Sequence, residues 1–105
     1  MFNASQFENK INELTLTLNA IEKREHEKRY STQADPIYWK DRGRKFAAID
    51  IRNCGAWLIE KANGEIYNIK GYGVPDYNKK KKSDIGNIET VDAERMHRLR
   101  WNYLR

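Results

Sequence analysis

The sequence lacks the residues on which several common protein classes depend. It has one cysteine, Cys54, and two histidines among 105 residues. A single cysteine cannot form an internal disulfide bond, and the histidines do not have the spacing of metal ligands. We therefore expect no disulfide framework, no metal site and no cofactor.

Long apolar runs are also missing. No segment approaches the ~18 consecutive apolar residues that a membrane-spanning helix needs. The N-terminus, Met-Phe-Asn-Ala-Ser-Gln, has neither the charged nor the apolar segment of a secretory signal. These absences predict a small, soluble, cytoplasmic protein that does not use a membrane.

Acidic residues are the minority among the charged ones. The chain has 20 Lys+Arg and 15 Asp+Glu, so its formal net charge is +5. This balance argues against a mimic of DNA, which would need a carboxylate-rich surface. Residues 1–35 hold five basic and six acidic residues. Residues 36–70 hold seven basic and four acidic residues, and residues 71–105 hold eight basic and five acidic residues. The positive excess therefore lies after residue 35.

Apolar residues recur with helical spacing near the N-terminus. They follow one another at intervals of four and three residues and form one seam, made of Phe7, Ile11, Leu14, Leu18 and Ile21. The pattern predicts one long helix over residues 4–29, which begins at a capping box formed by Asn3 and Gln6.

The seam has two possible roles. It can dock on the chain's own sheet, or it can pair with the same helix of a second copy. We expect a mixture, in which the first turns pack within the chain and the remaining seam supports a homodimer. Leu16 and Ala20 widen the apolar face and favour this arrangement.

The rest of the chain predicts an α+β fold with a three- to four-stranded antiparallel meander and a C-terminal helix. Strands are expected at residues 46–51, 55–60 and 65–69, with Asn63-Gly64 as a type I′ turn, and a short edge strand near residues 84–88. Thr90 or Asp92 can cap the last helix. The organisation is a helix (1–30), a linker (31–45) and a β-meander with a helix (46–105), in one domain.

Basic residues interleaved with aromatic ones are typical of nucleic-acid binding, because cations neutralise phosphates and aromatic faces stack on bases. The same cations also suit an acidic protein partner. The candidates on the loop and the last helix are Tyr72, Tyr77, Lys79, Lys80, Lys81, Lys82, Arg95, Arg98, Arg100 and Trp101.

No group of residues predicts catalysis. Gly71-Tyr72-Gly73 resembles a fragment of a phosphate-binding loop, but Pro75 stands where the helix should begin. Cys54 has no histidine at a predictable distance that could stabilise a thiolate. We therefore expect a protein that is not an enzyme.

The segment from about residue 55 to residue 88 resembles a group of small accessory proteins of tailed bacteriophages. They share a strand, a Gly-[Asp/Glu]-Ile-Tyr hairpin, a Gly/aromatic loop with a proline, and a closing Gly-Asn-Ile. Here these pieces are Gly55-Ala56-Trp57-Leu58-Ile59, Asn63-Gly64-Glu65-Ile66-Tyr67, Gly71-Tyr72-Gly73-Val74-Pro75 and Gly86-Asn87-Ile88. The resemblance implies a phage or prophage accessory protein but no particular activity.

Three hypotheses follow. The first is a counter-defence protein, similar in role to an anti-CRISPR inhibitor, that binds and blocks a host or defence complex in the bacterial cytoplasm. The second is a module that binds RNA, DNA or a nucleotide directly. The third is a purely structural homo-oligomer whose long helix is the assembly element.

Overall fold

The computed structural model describes residues 3–29, 34–51, 54–71, 74–75 and 85–104. In chain order the elements are α1 (Ala4–Arg29), β1 (Ile37–Arg42), β2 (Phe46–Ile51), β3 (Cys54–Glu60), β4 (Glu65–Gly71), β5 (Val74–Pro75), β6 (Gly86–Asn87) and α2 (Ala93–Leu104). The predicted α+β class is confirmed.

The sheet is antiparallel and has more strands than the sequence predicted. Its four longer strands are ordered β1-β2-β3-β4, and the two short strands β5 and β6 both pair with β4. The predicted edge strand near residue 86 is therefore present as β6. The extra longer strand is β1, which lies at one edge of the sheet.

Helix α1 begins as the capping box requires. The backbone N–H of Gln6 donates to Asn3 Oδ1 at 2.8 Å, and the backbone N–H of Asn3 donates to Gln6 Oε1 at 3.3 Å. Each side chain thus satisfies a backbone group that the first turn leaves unpaired. The predicted boundaries of the helix, residues 4 and 29, are confirmed.

The seam of α1 is buried inside the single chain. All five of its side chains are at most 6% exposed: Phe7, Ile11, Leu14, Leu18 and Ile21. The first four belong to one core cluster. Their partners in that cluster include Ile49, Trp57 and Ile59 of the sheet. Side chains with almost no accessible surface cannot also form a face between subunits. The assignment of these five residues to oligomerisation is therefore wrong, and they are the core of the monomer.

The predicted linker is the second correction. Residues 37–42, which composition placed in a linker over 31–45, form β1 and pair with β2 from Ile37↔Ile51 to Arg42↔Phe46. Along β1 only Ile37 is buried, and Trp39 packs partly against the core. Three of the six residues of β1 are charged and the residues on both sides of it are mostly polar, so composition indicated a linker.

A β-bulge explains why two consecutive residues of β3 enter the core. The pairing passes from Ile49↔Trp57 to Asp50↔Gly55, so Ala56 is an extra residue on β3. Ala56 and Trp57 are both almost fully buried in the core cluster, although neighbouring residues of a regular strand point to opposite faces.

The turn between β3 and β4 is longer than the predicted two-residue type I′ turn. It spans residues 61–64 and is closed by the N–H of Gly64, which donates to the carbonyl of Glu60 at 2.8 Å. Gly64 takes a φ of 78°, a left-handed conformation that glycine adopts readily. The glycine was correctly placed in the turn, whereas the turn type was wrong.

Two asparagines of α1 hold the edge strand β1. Asn19 donates from Nδ2 to the carbonyl of Ile37 at 2.6 Å and accepts from the Ile37 N–H at 2.8 Å. Asn12 accepts from Trp39 Nε1 at 2.6 Å. Asn19 therefore occupies the outward hydrogen-bonding groups of Ile37, which would otherwise be open to another strand.

Helix α2 packs on the second half of α1. Asp92 caps it by accepting from the N–H of Glu94 at 3.0 Å, so Asp92 rather than Thr90 is the cap. Met96 enters the core. His97 is 4% exposed, and its Nε2 lies 2.6 Å from Oε2 of the buried Glu22.

Candidate functional site

Two turns of the sheet meet at one end of the molecule. The turn between β1 and β2 contains Gly43, with a φ of 78°, and the turn between β3 and β4 begins at Lys61. Lys61 joins them, because its N–H donates to the carbonyl of Lys45 at 2.9 Å and its Nζ donates to the carbonyl of Gly43 at 3.1 Å. Its Nζ also lies 2.6 Å from Oδ1 of Asp41.

This end of the sheet concentrates positive charge. Five cations and one carboxylate lie within residues 40–45 and at residue 61, a set that we call the basic hairpin: Lys40, Asp41, Arg42, Arg44, Lys45 and Lys61. All are exposed except Lys61, which is half-buried. The sequence showed a charged cluster around Gly43, but it was placed in a linker and not among the candidate sites.

One face of the hairpin combines cations with aromatic rings. Side chains alternate along β1, so Tyr38, Lys40 and Arg42 share a face of the sheet, and Phe46 lies opposite Arg42 on the same face. Tyr38 is 37% exposed, one of two large apolar side chains with that much accessible surface in the described part of the chain. Lys45 Nζ lies 5.3 Å from the centre of the Phe46 ring, within cation–π range.

Buried groups hold this face in place. Asp50 of β2 is 1% exposed, and its Oδ2 lies 3.3 Å from Lys40 Nζ. Phe46 packs edge-on against Tyr67 with ring centres 6.1 Å apart, and the Tyr67 hydroxyl donates to Glu60 at 3.2 Å. The basic hairpin is therefore built on a packed sheet.

The binding residues predicted from the sequence do not lie at the basic hairpin. Arg98 is exposed on α2, whereas Arg95 is half-buried and its Nη1 lies 3.5 Å from the carbonyl of Ile85. Arg100 and Trp101 are part of helix α2, but the structure does not describe their side chains. The remaining candidates, Tyr72, Tyr77, Lys79, Lys80, Lys81 and Lys82, also lie outside the described residues. None of the ten belongs to the basic hairpin.

A groove of about 690 Å³ runs between α1 and residues 88–94. Its apolar lining includes Leu14, Ile21 and Val91, and charged side chains of both signs line it as well. Arg24 Nη2 lies 2.8 Å from Oε2 of Glu94, another residue of the lining. The hydrogen bond from Arg24 lowers the pKa of the Glu94 carboxyl below its ordinary value, and the hydrogen bond to Glu94 raises the pKa of the guanidinium.

This ion pair makes the contact between the two helices sensitive to acid. Because the folded-state pKa of Glu94 is lowered, the bridge stabilises the fold above the ordinary carboxyl pKa of 4.5 and is lost as the pH falls through the lowered value. We expect Glu94→Gln to lower the thermal midpoint at pH 7 but not in strong acid. Glu89→Gln, an exposed carboxylate of the same groove, is the control. An equal deficit of Glu94→Gln at both pH values would contradict this role.

The described residues hold no group of three or more His, Cys, Asp and Glu side chains that could bind a metal ion. Within the same residues, no helix is long and apolar enough to cross a membrane. Comparison with protein-family models, curated proteins and solved structures found no significant match. The functional argument therefore depends on the surface of this chain.

Proposed function

We propose that the protein is a non-enzymatic accessory protein of a bacteriophage or prophage that binds a host or defence complex and blocks it, in the manner of an anti-CRISPR protein. The observation that carries this proposal is the basic hairpin, whose five cations and one carboxylate lie at the end of β1, in the turn that follows it and at the start of the turn between β3 and β4. The site of action is the cytoplasm of the host bacterial cell.

The structure of the hairpin suits an inhibitor. Lys61 ties the two turns together, and the sheet beneath them is packed, so little conformational freedom has to be lost on binding. A cationic surface held in this way complements an acidic patch, or a protein site that normally holds phosphate groups. It would also raise the rate of association with such a partner.

The placement of the cations favours a protein partner. Five of the described cations lie together on the hairpin, whereas the others are spread over the two helices: Lys10, Lys23, Arg24 and Lys28 on α1, and Arg95 and Arg98 on α2. Binding along a nucleic acid strand draws on cations that follow the backbone over several phosphates. A compact cationic group next to an exposed ring, that of Tyr38, fits a local site on a protein.

The phage resemblance gives separate support. The described residues of its pieces fall in β3, β4, β5 and β6, at residues 63–64 and at residue 88. Two of these pieces are joined, because Asn87 Nδ2 donates to the carbonyl of Asn63 at 2.7 Å and the Ile88 N–H donates to the carbonyl of Gly64 at 2.8 Å. The closing Gly-Asn-Ile thus fastens the turn between β3 and β4, next to the basic hairpin.

Capture from lysate tests the proposal with a matched pair of variants. Immobilised protein is exposed to nuclease-treated lysate of bacteria that carry a defence system. We expect one protein complex in stoichiometric amount, lost with Arg42→Glu/Arg44→Glu and retained with Lys10→Glu/Lys28→Glu, which changes the net charge equally on α1. Equal capture by both variants, or no capture by the unaltered protein, would count against the proposal.

A second candidate function is direct binding of single-stranded RNA or DNA. The observation that favours it is the row of Tyr38, Lys40 and Arg42 on one face of β1, since an exposed ring can stack on a base beside two phosphate-binding cations. Fluorescence anisotropy with labelled oligonucleotides tests it. This function requires an affinity that falls steeply with salt and weakens in Tyr38→Ala, and absence of binding at low salt would remove it.

A further inference from the structure

The side of α1 that faces away from the core has a regular pattern of its own. Leu16 lies two positions from both Leu14 and Leu18, so helical geometry places it opposite the buried seam. Leu16 is 72% exposed, the most exposed large hydrophobic side chain in the described part of the chain. It belongs to a line of exposed residues at intervals of four and three, which we call the outer stripe: Asn9, Glu13, Leu16, Ala20, Lys23 and Glu27. Glu13 and Ala20 also lie at the edge of the groove between α1 and residues 88–94.

The outer stripe is self-complementary. Its large apolar residue, Leu16, and its small one, Ala20, each lie two positions from Leu18 along the helix. Glu13 and Lys23 each lie five positions from Leu18, on opposite sides of it. If two copies of α1 pair antiparallel about a two-fold axis at that level, each Leu16 meets the partner's Ala20. Each Glu13 then meets the partner's Lys23, and every contact occurs twice.

Glu13 and Lys23 cannot pair with each other within one chain. Glu13 and Lys23 are about 15 Å apart along the helix axis, at roughly 1.5 Å per residue. Both side chains are exposed, and an antiparallel copy brings opposite charges together at both ends of the apolar centre. The antiparallel arrangement also places the positive end of each helix dipole beside the negative end of the other.

We propose that the outer stripe of α1 is the surface through which a second copy of this chain binds, in a two-fold antiparallel helix pair. The contact surface is separate from the core seam, so each subunit keeps its own core. The pair points the two sheets away from each other and leaves both basic hairpins accessible. A single helix pair buries less than the ~1,200 Å² of a standard interface, so we expect association in the micromolar range or weaker.

Sedimentation equilibrium of the full chain, carried to millimolar concentration, measures this directly. We expect the mass to rise with concentration from 12.5 kDa toward twice that value. Leu16→Lys buries a charge at the centre of the pair and should abolish the rise, while far-ultraviolet circular dichroism and the thermal midpoint stay unchanged because the side chain is exposed. A monomer at every concentration, or a Leu16→Lys dimer as strong as that of the unaltered protein, would overturn the proposal.

Charge exchange tests the two-fold register. Glu13→Lys alone creates two like-charge contacts and should weaken association about 10-fold, and Lys23→Glu should do the same. The double variant Glu13→Lys/Lys23→Glu restores opposite charges across the axis and should recover the original affinity. Glu8→Lys, an equal charge change on an exposed residue outside the stripe, is the control. Failure of the double variant to recover would exclude this register.

Discussion

Replacing His97 with leucine is expected to lower the free energy of unfolding by about 3 kcal/mol, since the buried carboxylate of Glu22 loses its hydrogen bond with the imidazole. His97 Nε2 lies 2.6 Å from Glu22 Oε2, and the two residues are 4% and 9% exposed. A loss of this size is a large fraction of the stability of a small domain. The measurement is the midpoint of urea unfolding, with His97→Gln as a milder variant should leucine prevent folding.

The double variant Glu22→Leu/His97→Leu distinguishes the pair from general packing. Replacing both members of a buried pair by apolar side chains is often close to neutral. We therefore expect the double variant to be more stable than His97→Leu by at least about 2 kcal/mol. Additive losses would show that the two residues stabilise the fold independently, and that they do not couple α1 to α2.

Asn19→Ala is expected to lower the free energy of unfolding by about 2–3 kcal/mol. The change removes both hydrogen bonds between the Asn19 amide and the backbone of Ile37, which is 3% exposed. Because β1 carries part of the basic hairpin, the variant should also loosen the edge of the sheet. Hydrogen exchange of the Ile37 amide should therefore accelerate.

Asn12→Ala is the matched control for Asn19. It also alters an asparagine that ties α1 to β1, but it removes one exposed hydrogen bond, the one from Trp39 Nε1. We expect a loss of about 1 kcal/mol and little change in exchange at Ile37. If the two variants were equally destabilised and equally protected at Ile37, Asn19 would not be the residue that holds the edge strand.

Local patterns explain how much of the fold could be predicted. The boundaries of α1 follow from the capping box of Asn3 and Gln6, and its buried face follows from the seam. Strands β2, β3 and β4 follow from short apolar runs between turn signals. These features depend on neighbours within a few residues, which is what a single sequence shows best.

Features that depend on distant neighbours were missed. Strand β1 is an edge strand in which only Ile37 is buried, and it is held in part by Asn19, which is far away in the sequence. His97 is buried next to Glu22, and the two residues are 75 positions apart in the sequence. The spacing of apolar residues also does not tell whether the seam of α1 packs on a sheet or on a second copy, because both partners require the same apolar stripe.

The candidate site was missed for the same reason. The cations on both sides of Gly43 were visible in the sequence, but only the pairing of β1 with β2 makes them a hairpin. Lys61 contacts Gly43 and Asp41, although it lies about 20 residues further along the chain. The composition of the sequence does not reveal such a contact. The sequence-based prediction instead chose residues near runs of like charge, such as Lys79 to Lys82.

The most direct test of the central claim is a titration of the captured host complex with three purified proteins. These are the unaltered chain, Arg42→Glu/Arg44→Glu in the basic hairpin, and Lys10→Glu/Lys28→Glu on α1. The account predicts that the hairpin variant binds at least about 10-fold more weakly and no longer blocks the complex, while the helix variant stays within about 3-fold of the unaltered chain. Equal binding by the hairpin variant and the unaltered chain would contradict the account.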